Sequence, residues 1–170
     1  MKSILTKASI QLILFFTVCF PLLAQDSERI NLDEYGFQFS IELPEEAEVS
    51  DNQMGLQTST RNILGEHILT VKIRKGFGLN DLYIKLTKLS FEELKEAKTQ
   101  PYLAKYLTKV YQESGHEVIY EYKRGKKYYQ LCGIIELEGE KYMYTSNDDY
   151  TYYTLKQIKL LSKIANSIRL

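Results

Sequence analysis

The chain contains no tryptophan and only two cysteines and two histidines among its 170 residues. A metal site in a protein requires several cysteine, histidine or carboxylate side chains that converge on one point. His67 and His116 do not belong to any cluster with ligand spacing. A weak cation site at Glu66-His67 or at His116-Glu117 is the alternative to the favoured interpretation, exposed loop histidines. A glycine-rich loop for phosphate is also missing, because Gly76-Phe77-Gly78 has only the character of a turn. We therefore predict no metal site and no cofactor.

The chain also lacks an excess of charge of one sign, since its 22 basic residues balance its 22 acidic ones. A domain that binds nucleic acid normally has a strongly basic surface, so we predict no nucleic-acid partner. One basic run, Lys123-Arg124-Gly125-Lys126-Lys127, has the composition of an exposed hairpin turn. A weak contact with an anionic partner is the alternative interpretation of this run.

Residues 1–24 have the three parts of a cleavable signal peptide. Lys2 and Lys7 precede an apolar stretch over residues 8–20, and Ala24 supplies a small residue at the cleavage site. The apolar stretch is shorter than the roughly 20 residues that span a bilayer, although an uncleaved anchor is the competing interpretation. We predict an exported protein, periplasmic or secreted, of a Gram-negative bacterium. The membrane contact is then limited to the transient signal peptide.

Cleavage after residue 24 removes Cys19, so Cys132 remains alone and an intramolecular disulfide is excluded. It also removes two lysines, which leaves 20 basic and 22 acidic residues and a net charge of about −2. We expect residues 25–30 to form a flexible lead-in and residues 31–170 to form a single α+β domain, since the chain contains no repeat and no linker.

Alternation of apolar and polar residues predicts two early strands, over residues 37–43 and 68–75. Asn80 is a candidate cap for a helix that carries Leu82, Leu86 and Leu89, and Ser90 with Glu93 forms a capping-box pattern that restarts or continues it. Further helices are predicted over residues 101–115 and 154–168. The polar segment 45–65 remains unassigned apart from a possible short strand at residues 56–60.

Three strands lie between the last two predicted helices, joined by turns at Arg124-Gly125 and Glu138-Gly139. Two-residue turns pair Tyr120 with Tyr129, Val118 with Leu131, Ile135 with Tyr142, and Gly133 with Tyr144, all on one face of the sheet. The other face of the middle strand then carries Tyr128, Cys132 and Ile134, with Ile119 and Met143 beside them. A strand that is apolar on both sides requires cover on both faces. The predicted order is β-β-α-α-β-β-β-α, an antiparallel sheet covered by helices on both faces (an α/β/α sandwich).

The sequence from Tyr35 to Pro44 is an aromatic strand that ends in proline, and Ile164 to Leu170 forms a helix end with a short apolar tail. Helices in the middle of the chain follow a strand and a glycine-containing break. In these features the chain resembles the PsbP-like family, including the DcrB-type exported bacterial proteins. The resemblance implies an α/β/α sandwich and a binding or accessory role, with no catalytic residues to transfer.

Tyrosines cluster around an acidic loop that contains Asp148 and Asp149. Loops held by a rigid sheet often carry binding residues, and tyrosine supplies both contact area and a hydrogen-bonding group. In the alternative interpretation, Tyr142 and Tyr144 belong to the core and the other tyrosines cover a helix start. The candidate site for a ligand or partner comprises Asp148, Asp149, Tyr150, Tyr152 and Tyr153.

These patterns predict an exported, non-enzymatic binding or accessory protein of the bacterial cell envelope, whose partner is a protein, a peptide or a glycan. Two alternatives stay open. One is an inhibitor or immunity-type module that binds a protein, and the other is an envelope hydrolase that uses Cys132 or His116. We expect Cys132 to be a buried and unreactive strand residue, because its neighbours are apolar.

Overall fold

The computed structural model describes residues 27–52, 68–75, 78–98, 104–146 and 152–170. The signal peptide predicted for residues 1–24 and the short strand predicted near residues 56–60 lie outside these ranges. In the described residues the elements are β1 (Ser27–Asn31), a 3-10 turn (Asp33–Tyr35), β2 (Ser40–Pro44), β3 (Ala47–Asn52), β4 (Ile68–Lys75), β5 (Gly78–Thr87), α1 (Phe91–Lys98), β6 (Leu107–Glu113), β7 (Glu117–Arg124), β8 (Lys126–Leu137), β9 (Glu140–Ser146) and α2 (Leu155–Ala165).

Seven strands form one antiparallel sheet in the order β3-β4-β5-β9-β8-β7-β6, and β1 pairs with β2 in a separate hairpin. The predicted strand over residues 68–75 is confirmed as β4, with Leu69, Val71 and Ile73 buried. The lead-in expected at residues 25–30 differs from the structure, since β1 begins at Ser27. There, the guanidinium of Arg29 forms an ion pair of 2.7 Å with Glu42 of β2.

The hairpin between β8 and β9 has the predicted register, with Ile135 opposite Tyr142 and Gly133 opposite Tyr144. Its turn residues Glu138 and Gly139 have φ values of 50° and 84°, as a turn with two left-handed residues requires. The predicted register of the β7–β8 hairpin was wrong by one residue. Arg124 pairs with Lys126 across Gly125 alone, so Tyr120 lies opposite Gln130 and Val118 opposite Cys132.

This register moves the side chains of β7 to the opposite faces from those predicted. Val118 and Tyr120 pack with Cys132 and Ile134, whereas Ile119 joins the core on the other side. The aromatic contact between Tyr122 and Tyr128 favours the observed register: the rings are stacked, with centroids 5.3 Å apart and planes inclined by 16°.

The middle strand β8 is buried on both faces, as predicted. Leu131 lies in the larger core, against which Tyr129 and Ile135 pack, while Cys132 and Ile134 lie in the smaller one. The larger core is covered by α2, by the β1–β2 hairpin and by the rings of two phenylalanines that precede β2. The smaller core is covered by α1 through Leu94, which is 1 % exposed.

The predicted α/β/α sandwich with the order β-β-α-α-β-β-β-α was wrong, because two of its helices are strands. Residues 78–87 form β5, where Leu82 and Ile84 alternate inward and the backbone is paired with β4 and β9. The leucines whose spacing suggested a buried helical stripe differ in burial within this strand: Leu82 is fully buried, whereas Leu86, near the end of β5, is 55 % exposed. Pairing with two neighbouring strands outweighs the local helical spacing.

The helix predicted for residues 101–115 was also wrong in its described part, where residues 107–113 form the edge strand β6. Thr108 and Val110 are β-branched and suit an extended backbone, and β6 pairs with β7 through two irregularities of register.

The capping box at Ser90 is confirmed, since Ser90 and Glu93 exchange hydrogen bonds at the start of α1. The predicted last helix is α2, capped by Thr154. Within the described ranges no helix is long and apolar enough to cross a membrane.

Candidate binding surface

The structure separates the tyrosines that the sequence grouped together. Tyr142, Tyr144 and Tyr153 are buried, and Tyr153 forms part of the larger core, where its hydroxyl accepts a hydrogen bond of 3.2 Å from the backbone N–H of Asp81. Tyr152 is 49 % exposed and therefore accessible to a partner. The other three candidates, Asp148, Asp149 and Tyr150, lie outside the described residues.

The ring of Tyr152 is the exposed end of a row of aromatic contacts. It meets the ring of Tyr128 edge-on at 5.1 Å, Tyr128 stacks on Tyr122, and Tyr122 lies 6.1 Å from Tyr120. Tyr120 and Tyr122 are 3 % and 0 % exposed, so the row extends from the core to the surface. A ring supported in this way loses little conformational freedom when a ligand packs against it.

The tip of the β7–β8 hairpin adds positive charge beside this row. Arg124 and Lys126 follow Tyr122 and precede Tyr128 by two residues, so all four side chains share one face. The guanidinium carbon of Arg124 lies 5.3 Å from the ring centroid of Tyr106, a distance at which a cation attracts the π face. The backbone of Tyr106 is held at the tip by a hydrogen bond of 2.8 Å from the N–H of Lys123.

We call this surface the tyrosine platform and define it by Tyr106, Arg124, Lys126, Tyr128 and Tyr152. It crosses the sheet from the start of β6, over β7 and β8, to the segment before α2. Tyr152 is exposed, Tyr106 is half-buried, and Tyr128 supports the surface from below. Both basic side chains are exposed.

The reverse face of the same hairpin carries a carboxylate that is only 4 % exposed, that of Glu121. It accepts hydrogen bonds from the hydroxyls of Thr108 at 3.0 Å and Tyr129 at 3.1 Å, and it pairs with Lys127 at 3.3 Å. Burial alone would raise the pKa of Glu121, but the hydrogen bonds from Thr108, Lys127 and Tyr129 outweigh it and lower the pKa. The carboxylate of Glu121 is therefore charged, and its partners hold it on the face of the hairpin opposite to the tyrosine platform.

The basic side chains at this end of the sheet, in contrast, are exposed. We call them the basic tip; they are Lys105, Lys109, Lys123, Arg124, Lys126 and Lys127. The other carboxylates that β6, β7 and β8 carry, those of Glu113, Glu117 and Glu136, lie toward the opposite ends of their strands. Positive charge is thus concentrated at one end of the sheet, although the whole chain is neutral.

A second polar cluster surrounds Glu117, at the start of β7. Its carboxylate is 5 % exposed and accepts hydrogen bonds from the hydroxyls of Tyr144 and Ser162 and from the side-chain amide of Asn166. The imidazole of His116 is hydrogen-bonded to the other side of Asn166 at 2.9 Å. Burial, the charge of Glu117 and its hydrogen bond raise the pKa of Tyr144. These contacts attach the C-terminal half of α2 to the sheet.

The residues of the hydrolase alternative lie on different faces of the sheet. His116 and Asn166 line an open groove of about 660 Å³ beside the end of β8. Cys132 is 1 % exposed and packs in the smaller core with Val118 and Tyr120. The structure therefore does not place Cys132 at the groove that His116 lines. Among the described residues no group of three or more histidine, cysteine or acidic side chains could hold a metal ion.

No protein-family model, no curated protein and no solved structure matches this chain. The resemblance to the PsbP-like family accordingly stays a prediction.

Sequence reasoning missed most of the platform. Tyr152 was the one candidate that the structure places on it, whereas Tyr106, Arg124, Lys126 and Tyr128 were not grouped with it. The available signal was the basic run at residues 123–127, which stands directly between Tyr122 and Tyr128 in the chain. Its meaning depends on the register of the β7–β8 hairpin, which was predicted wrongly.

Proposed function

We propose that this chain is an exported binding or accessory protein of the bacterial cell envelope, and that it binds its partner on the tyrosine platform without catalysis. The leader over residues 1–24 supports export. The observation that carries the binding role is the row of rings from Tyr120 to Tyr152, because it presents an exposed aromatic side chain on rigid support. Tyrosine and arginine are the residue types enriched where binding energy concentrates in interfaces.

Binding is tested by co-sedimentation of the purified mature chain, residues 25–170, with the envelope fraction of the bacterium that encodes it. We expect the chain to sediment with this fraction and Tyr152→Ala to weaken the association roughly threefold to tenfold, since a well-packed aromatic contact contributes about 0.5–1.5 kcal/mol. Leu86→Ala is the matched control, because Leu86 is similarly exposed but lies on β5. Equal sedimentation of the wild type and Tyr152→Ala would contradict a binding role for the platform.

Export is tested separately by mass spectrometry of the protein from its native host. We expect a chain that begins at Gln25 or within a few residues of it, recovered from the periplasm or the medium. An intact N-terminus in the membrane fraction would show that the leader is an anchor.

A further inference from the structure

We propose that the ligand of the tyrosine platform is an anionic polysaccharide, a sugar chain that carries carboxylate or sulfate groups. This inference rests on the proposed binding function and adds the chemical class of the ligand. It combines two properties of the surface. The positive charge matches the acidic groups of the polysaccharide, and the flat aromatic surface matches the C–H faces of its sugar rings.

The charge of the basic tip sets the sign of the ligand. Six exposed basic side chains lie at one end of β6, β7 and β8. Arg124 and Lys126 are on the face of the platform, whereas Lys109, Lys123 and Lys127 lie on the reverse face, where the buried carboxylate of Glu121 pairs with Lys127. The chain as a whole has equal numbers of basic and acidic residues, so this concentration is not a consequence of composition. Such a surface attracts polyanions by long-range steering and repels cationic partners.

The exposed ring of Tyr152 selects for a ligand with flat, weakly polar faces. A sugar ring has a face of C–H groups that packs against an aromatic ring, while its acidic substituents project from the edge. The two basic side chains of the platform, Arg124 and Lys126, extend beside the supporting ring of Tyr128, where they can reach such substituents. Arginine in particular can bind a carboxylate or sulfate through two parallel hydrogen bonds.

The composition of the platform favours a polysaccharide over an anionic membrane. A protein that lies on a bilayer inserts apolar side chains below the level of the headgroups. The exposed ring of the platform is a tyrosine, and the exposed leucines at positions 86 and 89 lie on or just after β5, away from the platform. On β6 the exposed aliphatic side chain is Val110, opposite Tyr120. Tyrosine and basic side chains can also lie at the level of the headgroups, but the platform has no exposed leucine, isoleucine or phenylalanine that would insert below them.

The test uses the purified mature chain and measures binding by isothermal titration calorimetry. The probes are polygalacturonate and dextran sulfate, with neutral dextran, vesicles containing phosphatidylglycerol and a single-stranded oligonucleotide as comparisons. We expect binding to polygalacturonate or dextran sulfate, with a preference that identifies the acidic group, and no binding to neutral dextran. Added salt should weaken the binding, because exposed charges are screened.

Two matched pairs of variants assign the binding to the platform. We expect the double variant Arg124→Gln/Lys126→Gln to lower the affinity roughly threefold to tenfold, since exposed ion pairs contribute up to about 1 kcal/mol each. Lys156→Gln/Lys159→Gln removes the same charge from exposed positions on α2 and should have little effect. Tyr152→Ala should weaken the binding, whereas Tyr111→Ala, which removes an exposed tyrosine of the edge strand β6, should not.

The outcomes separate this inference from the proposed function. Failure to bind either acidic polysaccharide, together with sedimentation that depends on Tyr152, would overturn the ligand class and leave the binding role in place. Equal or stronger binding to the vesicles or to the oligonucleotide would also overturn it, because the charge alone would then explain the interaction. Binding that Tyr152→Ala and Arg124→Gln/Lys126→Gln leave unchanged would place the polysaccharide elsewhere on the protein and overturn the assignment to the platform.

Discussion

The ring of Tyr144 lies directly over Gly133, its partner in the adjacent strand. A Cβ atom built on Gly133 would overlap the Cζ and hydroxyl atoms of Tyr144 and would lie 2.7 Å from the carbonyl oxygen of His116. Tyr144 is fully buried, and its hydroxyl is hydrogen-bonded to Glu117 at 3.0 Å, so the ring has little space in which to move. The absence of a side chain at Gly133 is therefore what allows the central strands β8 and β9 to pack with this tyrosine between β8 and α2.

We predict that Gly133→Ala destabilises the protein. Overpacking a buried site costs about 1–3 kcal/mol, and we expect a loss in this range or above it because the carbonyl of His116 belongs to the backbone. The measurement is the midpoint of urea unfolding. Gly115→Ala is the matched control, since a Cβ at Gly115 has no atom within 4 Å, and the substitution should stabilise the protein by about 0.4–1 kcal/mol by restricting the unfolded chain. Similar midpoints for the two variants would contradict the packing described here.

The pairing of Gly133 with Tyr144 could be predicted from the sequence because its determinants are local. Glu138-Gly139 defines a two-residue turn, and alternation on both sides of that turn leaves one register that keeps the apolar residues together. The same holds for β4, where Leu69, Val71 and Ile73 alternate. The caps at Ser90 and Thr154 are equally local, because the groups that they satisfy are three residues away.

Long-range pairing was what the sequence could not supply. Leu82, Leu86 and Leu89 have helical spacing, and only the contacts of β5 with β4 and β9 show that the segment is a strand. The platform required two further pieces of information: a hairpin register that differs by one residue, and the contact between Tyr128 of β8 and Tyr152, which precedes α2. A pattern within one segment contains no information about such a contact.

Glu117 provides a second test of how α2 is attached to the sheet. Its carboxylate accepts hydrogen bonds from three side chains, two of them on or directly after α2. Because all three donors reach Oε2, an amide oxygen at that position keeps these hydrogen bonds, but Glu117→Gln removes the negative charge that strengthens them. We expect a loss of about 1–3 kcal/mol, since hydrogen bonds to a charged acceptor are roughly twice as strong as those to a neutral one. Hydrogen exchange of the α2 amides should accelerate together with the loss of stability.

The control for this substitution is Glu136→Gln, which makes the same chemical change at an exposed position of β8. It should leave both the urea midpoint and the exchange of α2 unchanged. Equal effects of the two substitutions would mean that the hydrogen bonds of Glu117 do not stabilise the fold.

The buried tyrosines predict a loss of stability in alkali. Burial raises the pKa of Tyr120 to about 12, and burial with the hydrogen bond to Glu140 raises the pKa of Tyr142 to about 12. The unfolded chain releases these protons near pH 10, so the native state holds more protons between pH 10 and pH 12. Stability from this source is complete below pH 10 and is lost as the pH rises toward 12.

Urea unfolding at a series of pH values measures this effect. We expect the free energy of unfolding to fall between pH 10 and pH 12, and Tyr120→Phe to reduce the slope because phenylalanine has no proton to release. Leu86→Ala should leave the slope as it is in the wild type. A slope that Tyr120→Phe does not alter would show that this hydroxyl titrates alike in the folded and unfolded chains.

Cys132 separates a catalytic interpretation of this chain from a binding one. A catalytic cysteine must be accessible and partly deprotonated, which requires a nearby cation or a helix N-terminus. Cys132 is 1 % exposed in the middle of β8, where it packs in the smaller core with Val118, Ile134 and Met143. We therefore predict that an alkylating reagent labels the native protein slowly and the unfolded protein fast.

Cys132→Ala extends this test from reactivity to stability and binding. We expect a loss of about 1–2 kcal/mol, the usual cost of a small truncation in a core. Because Cys132 is not part of the tyrosine platform, sedimentation with the envelope fraction should be the same for this variant as for the wild type. We expect the opposite pattern for the two substitutions: Cys132→Ala lowers stability and leaves binding unchanged, whereas Tyr152→Ala weakens binding from an exposed position. Rapid alkylation of the folded chain at neutral pH would contradict the burial of this thiol and return the hydrolase alternative to consideration.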